Sequence, residues 1–242
     1  MRIATHLAIA LVLTIVTQIG GLTWLLSRCA PRWRLAVFAG LYGAASIAAL
    51  WLAPLAGRVA MPCLGEAALR APMVFCLLNR TYVTPDLAAL LTDLSAEMTR
   101  HAPGTRTVML DGGFPFIDGF PLLPHLSHDN GRQADLAFWY GDGTGALRSP
   151  LGYFAFEDGP TDCAPRWPSL RWNLAPLQPL WPDIPLNADL TRHATAWLLA
   201  DPRTARIFLE PHLQARLGLD HPKLRFQGCA AARHDDHIHL DI

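Results

Sequence analysis

The stretch His234-Asp-Asp-His237-Ile-His239-Leu-Asp-Ile242 reads as a strand over Asp236–Asp241, with polar and apolar side chains alternating from His237 to Asp241, the period of a β-strand with one buried face. Residues two apart on a strand project from the same face, so His237 and His239 stand side by side. Three further segments read as strands: Thr105–Leu110, Ala134–Tyr140 and Ala205–Glu210. Two helices lie among them. Thr84-Pro85-Asp86 offers a capping hydroxyl, a proline for the first turn and an acid for the positive end of the dipole. Leu87, Leu90, Leu91, Leu94 and Met98 follow at helical spacing as a core-facing stripe. Ala188–Ala200 is the second helix, with Asn187 as its cap. Strands interleaved irregularly with helices predict an α+β domain with a central, mainly antiparallel sheet flanked by helices, not a doubly wound one. Asp111-Gly112-Gly113 reads as a turn, and residues 141–186, rich in Pro and Trp, give no periodic signal.

Upstream the composition changes. Ile3–Leu26 gives 24 residues without Asp, Glu, Lys or Arg, and Leu35–Gly57 gives 23 more. About 20 apolar residues suffice to cross a bilayer as a helix, so residues 1–60 are expected to form a transmembrane helical hairpin. A cleaved signal peptide fits less well, because its apolar core is shorter and no second span follows it. The connecting loop carries Arg28, Arg32 and Arg34, which places it in the cytoplasm and both ends of the hairpin across the membrane. Residues 61–242 then form the globular domain, long enough to bury a core without staples.

The net charge is zero, but it is unevenly spread. The first 60 residues hold five arginines and no acid, which leaves 15 basic against 20 acidic groups in the remainder. A domain with that balance lacks the basic face that nucleic-acid binding requires. Hydrophobic content of 51% with 17% charged residues excludes a disordered chain.

Five of the ten histidines fall in two short segments. His125-Leu-Ser-His128-Asp-Asn-Gly131-Arg-Gln-Ala-Asp135 is the first, and the strand quoted above, with His234, His237 and His239, is the second. A histidine, a carboxylate seven residues on and a distant His-x-His pair supply a His₂Asp set. Three protein ligands plus a water is how catalytic zinc is held. Gly131 lets the backbone turn tightly between His128 and Asp135 so that both reach one ion. Asp129, Asp235 and Asp241 are candidates to orient the imidazoles. Trp139, Trp167, Trp172, Trp181 and Trp197 are candidates either for a groove or for packing. His101, His193, His212 and His221 have no partner pattern and suit surface or capping roles.

Ser127-His128-x-x-Gly131-x-x-x-Asp135 with His234-x-x-His237-x-His239 resembles the penicillin-insensitive murein endopeptidases, within the superfamily of lysostaphin-type and D-Ala-D-Ala peptidases and the hedgehog domain. The similarity covers residues 114–140 and 187–242, and Asn187–Leu217 resembles the family's helix-strand-helix segment, with Asp189 at a recurrent acid. The resemblance implies one Zn²⁺ held by His128, Asp135 and His239, with His237 beside the metal water and His125 and His234 in supporting places. In the related D,D-carboxypeptidases the base is an acid three residues before the last ligand, and Asp236 occupies that spacing; His237 and Asp236 both remain open as the base. Gln133 and the pair Arg192-His193 depart from the family pattern, which bears on substrate preference. The implied protein is a zinc metallopeptidase acting on peptidoglycan stem peptides or cross-links, anchored in the inner membrane with its C-terminal domain in the periplasm. The alternative is a metal-stabilised module that binds cell-wall peptide or a partner protein without turnover; the presence of both His237 and Asp236 favours the enzyme. Cys29 lies in the cytoplasmic loop and is expected to be reduced. Cys63, Cys76, Cys163 and Cys229 allow three pairings, of which Cys63–Cys76 with Cys163–Cys229 is the expected one.

Overall fold

A computed structural model describes residues 2–161, 163, 171 and 175–242. The N-terminal region comprises α1 (Arg2–Thr17), α2 (Gly20–Leu26) and α3 (Arg34–Leu52), the last continued by a 3₁₀ turn at Ala53–Ala56. Taken to Ala56, the last of these is long and apolar enough to cross a membrane. The first apolar stretch is not one straight span, contrary to the hairpin expected from its composition. It breaks at Gln18, whose φ is 65°. The Thr17 hydroxyl bonds back to the Leu13 carbonyl and accepts the Gly20 amide, ending one helix and starting the next. α2 folds back along α1 so closely that a Cβ on Gly21 would overlap Thr14 Oγ1 and the Ala10 carbonyl. The Trp24 ring meets both His6 and Phe38, so α3 returns in the direction of α1. The N-terminal end of α1 therefore lies at the same end as the basic loop, not opposite it.

The domain adds β1 (Val59–Ala60), β2 (Leu69–Arg70), α4 (Met73–Leu77), β3 (Tyr82–Val83), α5 (Pro85–His101), β4 (Thr107–Val108) and β5 (Gln133–Ala137). It closes with α6 (Ala188–Ala200), β6 (Arg206–Phe208), α7 (Pro211–Arg216), β7 (Leu224–Arg225) and β8 (His237–Asp241). The main sheet has the order β5-β8-β6-β7; β8 is antiparallel to both neighbours, and β6 and β7 are parallel. Two small ladders, β1–β3 antiparallel and β2–β4 parallel, lie before it.

Strand alternation divides the sheet into two faces. Ala134, Leu136, Ile207, Ile238 and Leu240 pack with the α5 stripe Leu87, Leu90, Leu91, Leu94 and Met98 and with Leu190, Ala194 and Leu198 of α6. The opposite face carries Asp135, His237 and His239. It too is buried, beneath the loops around 111–131 and 153–157. Asn187 caps α6 by accepting the Leu190 amide, as expected. Thr84 does not cap α5: its backbone is extended at the cap position, but its hydroxyl makes no hydrogen bond. Both expected disulfides are formed, Cys63–Cys76 and Cys163–Cys229, and Cys29 is free and exposed.

Leu94 is fully buried between α5 and the sheet. Leu94→Ala is expected to cost about 2–5 kcal/mol, read from the denaturant midpoint of the detergent-solubilised chain; a change below about 0.5 kcal/mol would remove this helix from the core.

Candidate metal centre

The register of the sheet builds the site. Asp135 pairs with His239 and Ala137 with His237 across β5 and β8, and Phe208 of β6 flanks His239 on the other side. Opposed residues on one face have Cβ atoms about 5 Å apart, so side chains of this length meet without distortion. His128 enters from the loop before β5. Its Nδ1 donates to the Gly112 carbonyl at 2.7 Å, which turns Nε2 inward. Nε2 then lies 3.1 Å from Asp135 Oδ1 and 3.1 Å from His239 Nδ1, and those two atoms are 2.8 Å apart. Ligands held tetrahedrally at zinc–nitrogen or zinc–oxygen lengths sit about 3.3 Å from one another.

His125 reaches the other carboxylate oxygen. Its Nδ1 is 2.8 Å from Asp135 Oδ2, at ion-pair distance but without an aligned hydrogen bond. His125, His128 and Asp135 thus form a buried group that could hold a metal ion, with their ligand atoms within 4.8 Å of one another. Gly131 adopts φ 71°, as the tight turn between His128 and Asp135 demands. A Cβ there would also come within 2.5 Å of Arg58 Nε.

His237 stands beside this group with Nε2 3.6 Å from Asp135 Oδ1. Its Nδ1 is held 2.5 Å from Asp236 Oδ1, and Asp236 Oδ2 accepts the Phe154 amide at 2.6 Å. Phe154 turns that amide inward from a φ of 67°, a conformation unfavourable to a bulky residue. Both Asp236 oxygens are therefore engaged, whereas His237 Nε2 is buried and lacks a hydrogen-bond partner. The His234 ring lies 5.0 Å from that of His237 and 5.4 Å from that of His239.

Three groups that sequence reasoning missed complete the arrangement. The Tyr153 hydroxyl donates to Asp135 Oδ2 at 2.7 Å and lies 3.2 Å from Asp111 Oδ2. Asp111 is held by Arg80 through two bonds of 2.6 and 2.8 Å. Asp111-Gly112-Gly113, expected to be only a turn, thus supplies a buried carboxylate and the acceptor that orients His128. Nothing in the local pattern marked Tyr153, which lies in the aperiodic region.

The proposed orienting acids do other work. Asp235 pairs with Arg233, and Asp241 with Arg206 and Gln133. No hydrogen bond joins Asp129 to an imidazole among the described residues. His212 is buried near Asp235, and His193 bonds Glu97 while stacking on His101. Asp189 is exposed on α6. Trp139 is core and Trp197 packs against it, whereas Trp167 and Trp172 lie outside the described residues. Trp181 lines a cavity of about 450 Å³ with Arg148 and Asp158, which contains none of the site imidazoles. A smaller one, about 220 Å³, opens on the site between Leu126, Ala231, His125, His234 and His239, and its position gives it the better claim to hold a ligand.

The electrostatics follow from burying one carboxylate among imidazoles. Burial alone would raise the Asp135 carboxyl, but His128, His237 and His125 hold it well below its ordinary range. Burial works against protonated His125, yet Asp135 and Asp111 push it up to about 10. His237 is raised in the same way, against its burial, by Asp135 and Asp236. His239 goes the other way, brought by burial down to about 4, and burial with neighbouring imidazoles takes His234 well below its usual value. A neutral imidazole is the form that binds metal.

No protein-family model matches the chain, and no curated protein matches it. The chemistry of the site therefore rests on its own geometry.

Tyr153→Phe deletes one hydroxyl and leaves the packing. Metal affinity is expected to fall about 10- to 100-fold, measured by competition with a chromophoric chelator, with the circular dichroism unchanged. Unaltered affinity would show that the hydroxyl does not orient Asp135.

Proposed function

We propose that the protein is a membrane-anchored, zinc-dependent peptidase that hydrolyses peptide bonds in peptidoglycan stem peptides or cross-links. One observation carries this reading: His128 Nε2, Asp135 Oδ1 and His239 Nδ1 converge within 3.1 Å, next to a buried and unpartnered His237 Nε2. A closed structural site would fill its fourth position with another side chain. Here the residue next to the three donors is an imidazole pinned at its far nitrogen. His128, Asp135 and His239 are assigned to the ion, because they lie closer together than the set containing His125. A bound zinc ion supplies Lewis acidity toward a carbonyl oxygen and lowers the pKa of a coordinated water.

The chain's own residues supply the rest. His237, oriented by Asp236, accepts or returns a proton at Nε2, which makes Asp236 the orienting group and His237 the base. His125 and Tyr153 hold Asp135 Oδ2, leaving Oδ1 free to face the ion. His234 and the wall formed by Leu126 and Ala231 shape the approach of the substrate. The peptidoglycan assignment comes from the resemblance of the two histidine segments to the murein endopeptidases.

Orientation is supported by charge and redox chemistry. The basic loop holds Arg28, Arg32 and Arg34 at one end of the helices, while Arg58 at the other end is neutralised by Asp118. Basic residues collect on the cytoplasmic side. Both disulfides lie in the domain and the one free cysteine, Cys29, lies in the basic loop, as a domain in an oxidising periplasm would have it.

Full-length protein in detergent, loaded with Zn²⁺, is expected to release peptides from purified sacculi, identified by mass spectrometry, and to stop when a chelator is added. His128→Ala should lose both metal and hydrolysis. His237→Ala should keep its metal and lose about 10²–10⁴ in rate. Sacculi left intact by the metal-loaded wild type would mean a binding module without turnover.

A further inference from the structure

The domain does not sit beyond the end of α3 but alongside it. From Arg34 to Ala56 the helix is about 34 Å long, close to the roughly 30 Å hydrocarbon thickness of a bilayer. Tyr42 lies about 21 Å below its Ala56 end, yet its hydroxyl donates to the Leu77 carbonyl of the domain at 2.6 Å. Asn79 donates to Tyr42 Oη at 2.9 Å and to Ser46 Oγ at 3.1 Å, and higher up Ala49 and Ala53 pack on Tyr82. If α3 crosses a membrane, this flank of the domain enters it too.

The flank has the composition such a position requires. The lobe 62–78, closed by Cys63–Cys76, turns Leu64, Met73 and Leu77 outward, 76%, 46% and 62% exposed. α3 exposes Ile47, Leu50 and Trp51, and the turn after it Leu55; Ile47 and Leu50 line one cleft with Cys63 and Cys76 of the lobe. The polar groups that hold the lobe on α3 are paired with one another, which lipid demands. The Leu78 and Cys76 amides and the Ala71 amide bond to backbone carbonyls, and Asn79 is consumed by Tyr42 and Ser46. A cleft of about 170 Å³ between Ile47, Leu50, Cys63 and Cys76 separates helix from lobe, wide enough for part of an acyl chain. Glu66, paired with Arg106, marks the side from which water returns.

We propose that the disulfide-closed lobe 62–78 is a second membrane contact, seating Leu64, Met73 and Leu77 among lipid acyl chains beside α3. The partner is the bilayer itself, not another protein. The inference rests on reading α3 as a membrane span and is independent of the chemistry at the metal centre.

The full chain, reconstituted in vesicles of phosphatidylcholine and phosphatidylglycerol, tests it. p-Benzoylphenylalanine replaces Leu55, Leu64, Leu77 or, as a control, exposed Asp220 beside β7 at the far edge of the main sheet. After irradiation, adducts are identified by mass spectrometry. Lipid adducts are expected at 64 and 77 in yields within about threefold of those at 55, and at least tenfold above those at 220. Lipid adducts at 55 but not at 64 and 77, or cross-links from 64 and 77 to a second copy of the chain, would overturn the proposal while leaving the span intact. Absence of lipid adducts at 55 as well would overturn the span and the lobe together.

Discussion

The carboxylate of Asp135, fully buried in a central position of the site face, is the constraint on which the arrangement turns. An unpaired charge in that position would cost several kcal/mol, so the fold has to surround it with donors. It does so from four parts of the chain: the loop before β5 gives His125 and His128, the aperiodic region gives Tyr153, β8 gives His237 and His239, and β5 gives the backbone register that holds them opposite. Asp111 repeats the problem one layer out and is answered differently, by a two-toothed arginine that is indifferent to pH. The inner carboxylate is left with groups that can exchange their protons for a metal ion; the outer one is closed.

That distinction separates a cluster that could hold a metal ion from a structural ion pair. Were Asp135 present only to tie strands together, an arginine would serve it as Arg80 serves Asp111. Instead the contacts on Oδ1 are imidazole nitrogens, all drawn toward one point, and His237 Nε2 is aimed there with no partner. An unsatisfied buried nitrogen carries a desolvation cost of about 1–3 kcal/mol, which a ligand or its water would remove.

Much of this was legible in the sequence because the chemistry is carried by residues of fixed spacing. His237 and His239 share a strand face by period alone, and a glycine between His128 and Asp135 announced a turn. The core stripe of α5 and the capped α6 were equally readable. What was not legible depends on tertiary contact. Tyr153 sits where no periodicity exists, and its role appears only when residues 153–157 fold over β8. Nor could spacing tell that both Asp236 oxygens are engaged, one by His237 and the other by the Phe154 amide. The N-terminal region misled for another reason: hydropathy counts apolar residues but does not register that Thr17, Gln18 and the glycine pair following them can reverse a helix within three residues. Thr84 misled likewise, since a hydroxyl at a cap position promises a bond that packing can deny.

The N-terminal helices and the loop that carries His125 and His128 are also not separable bodies. Gln18, at the reversal between α1 and α2, accepts the Phe116 amide, and Arg58, just past α3, lies over Gly131 and pairs with Asp118. Both contacts fall on the segment 112–131, which delivers His125 and His128. The glycine at 131 is thus required twice, once by its backbone angle and once because Arg58 occupies the space a side chain would need. The consequence is physical: His128 is positioned by Gly112 on one side and, through the loop, by the N-terminal helices on the other. A chain trimmed at residue 60 would keep every donor yet lose Gln18 and Arg58, and with them two of the contacts that hold their loop in place. The N-terminal helices are therefore part of the scaffold that holds the loop of His125 and His128 in place.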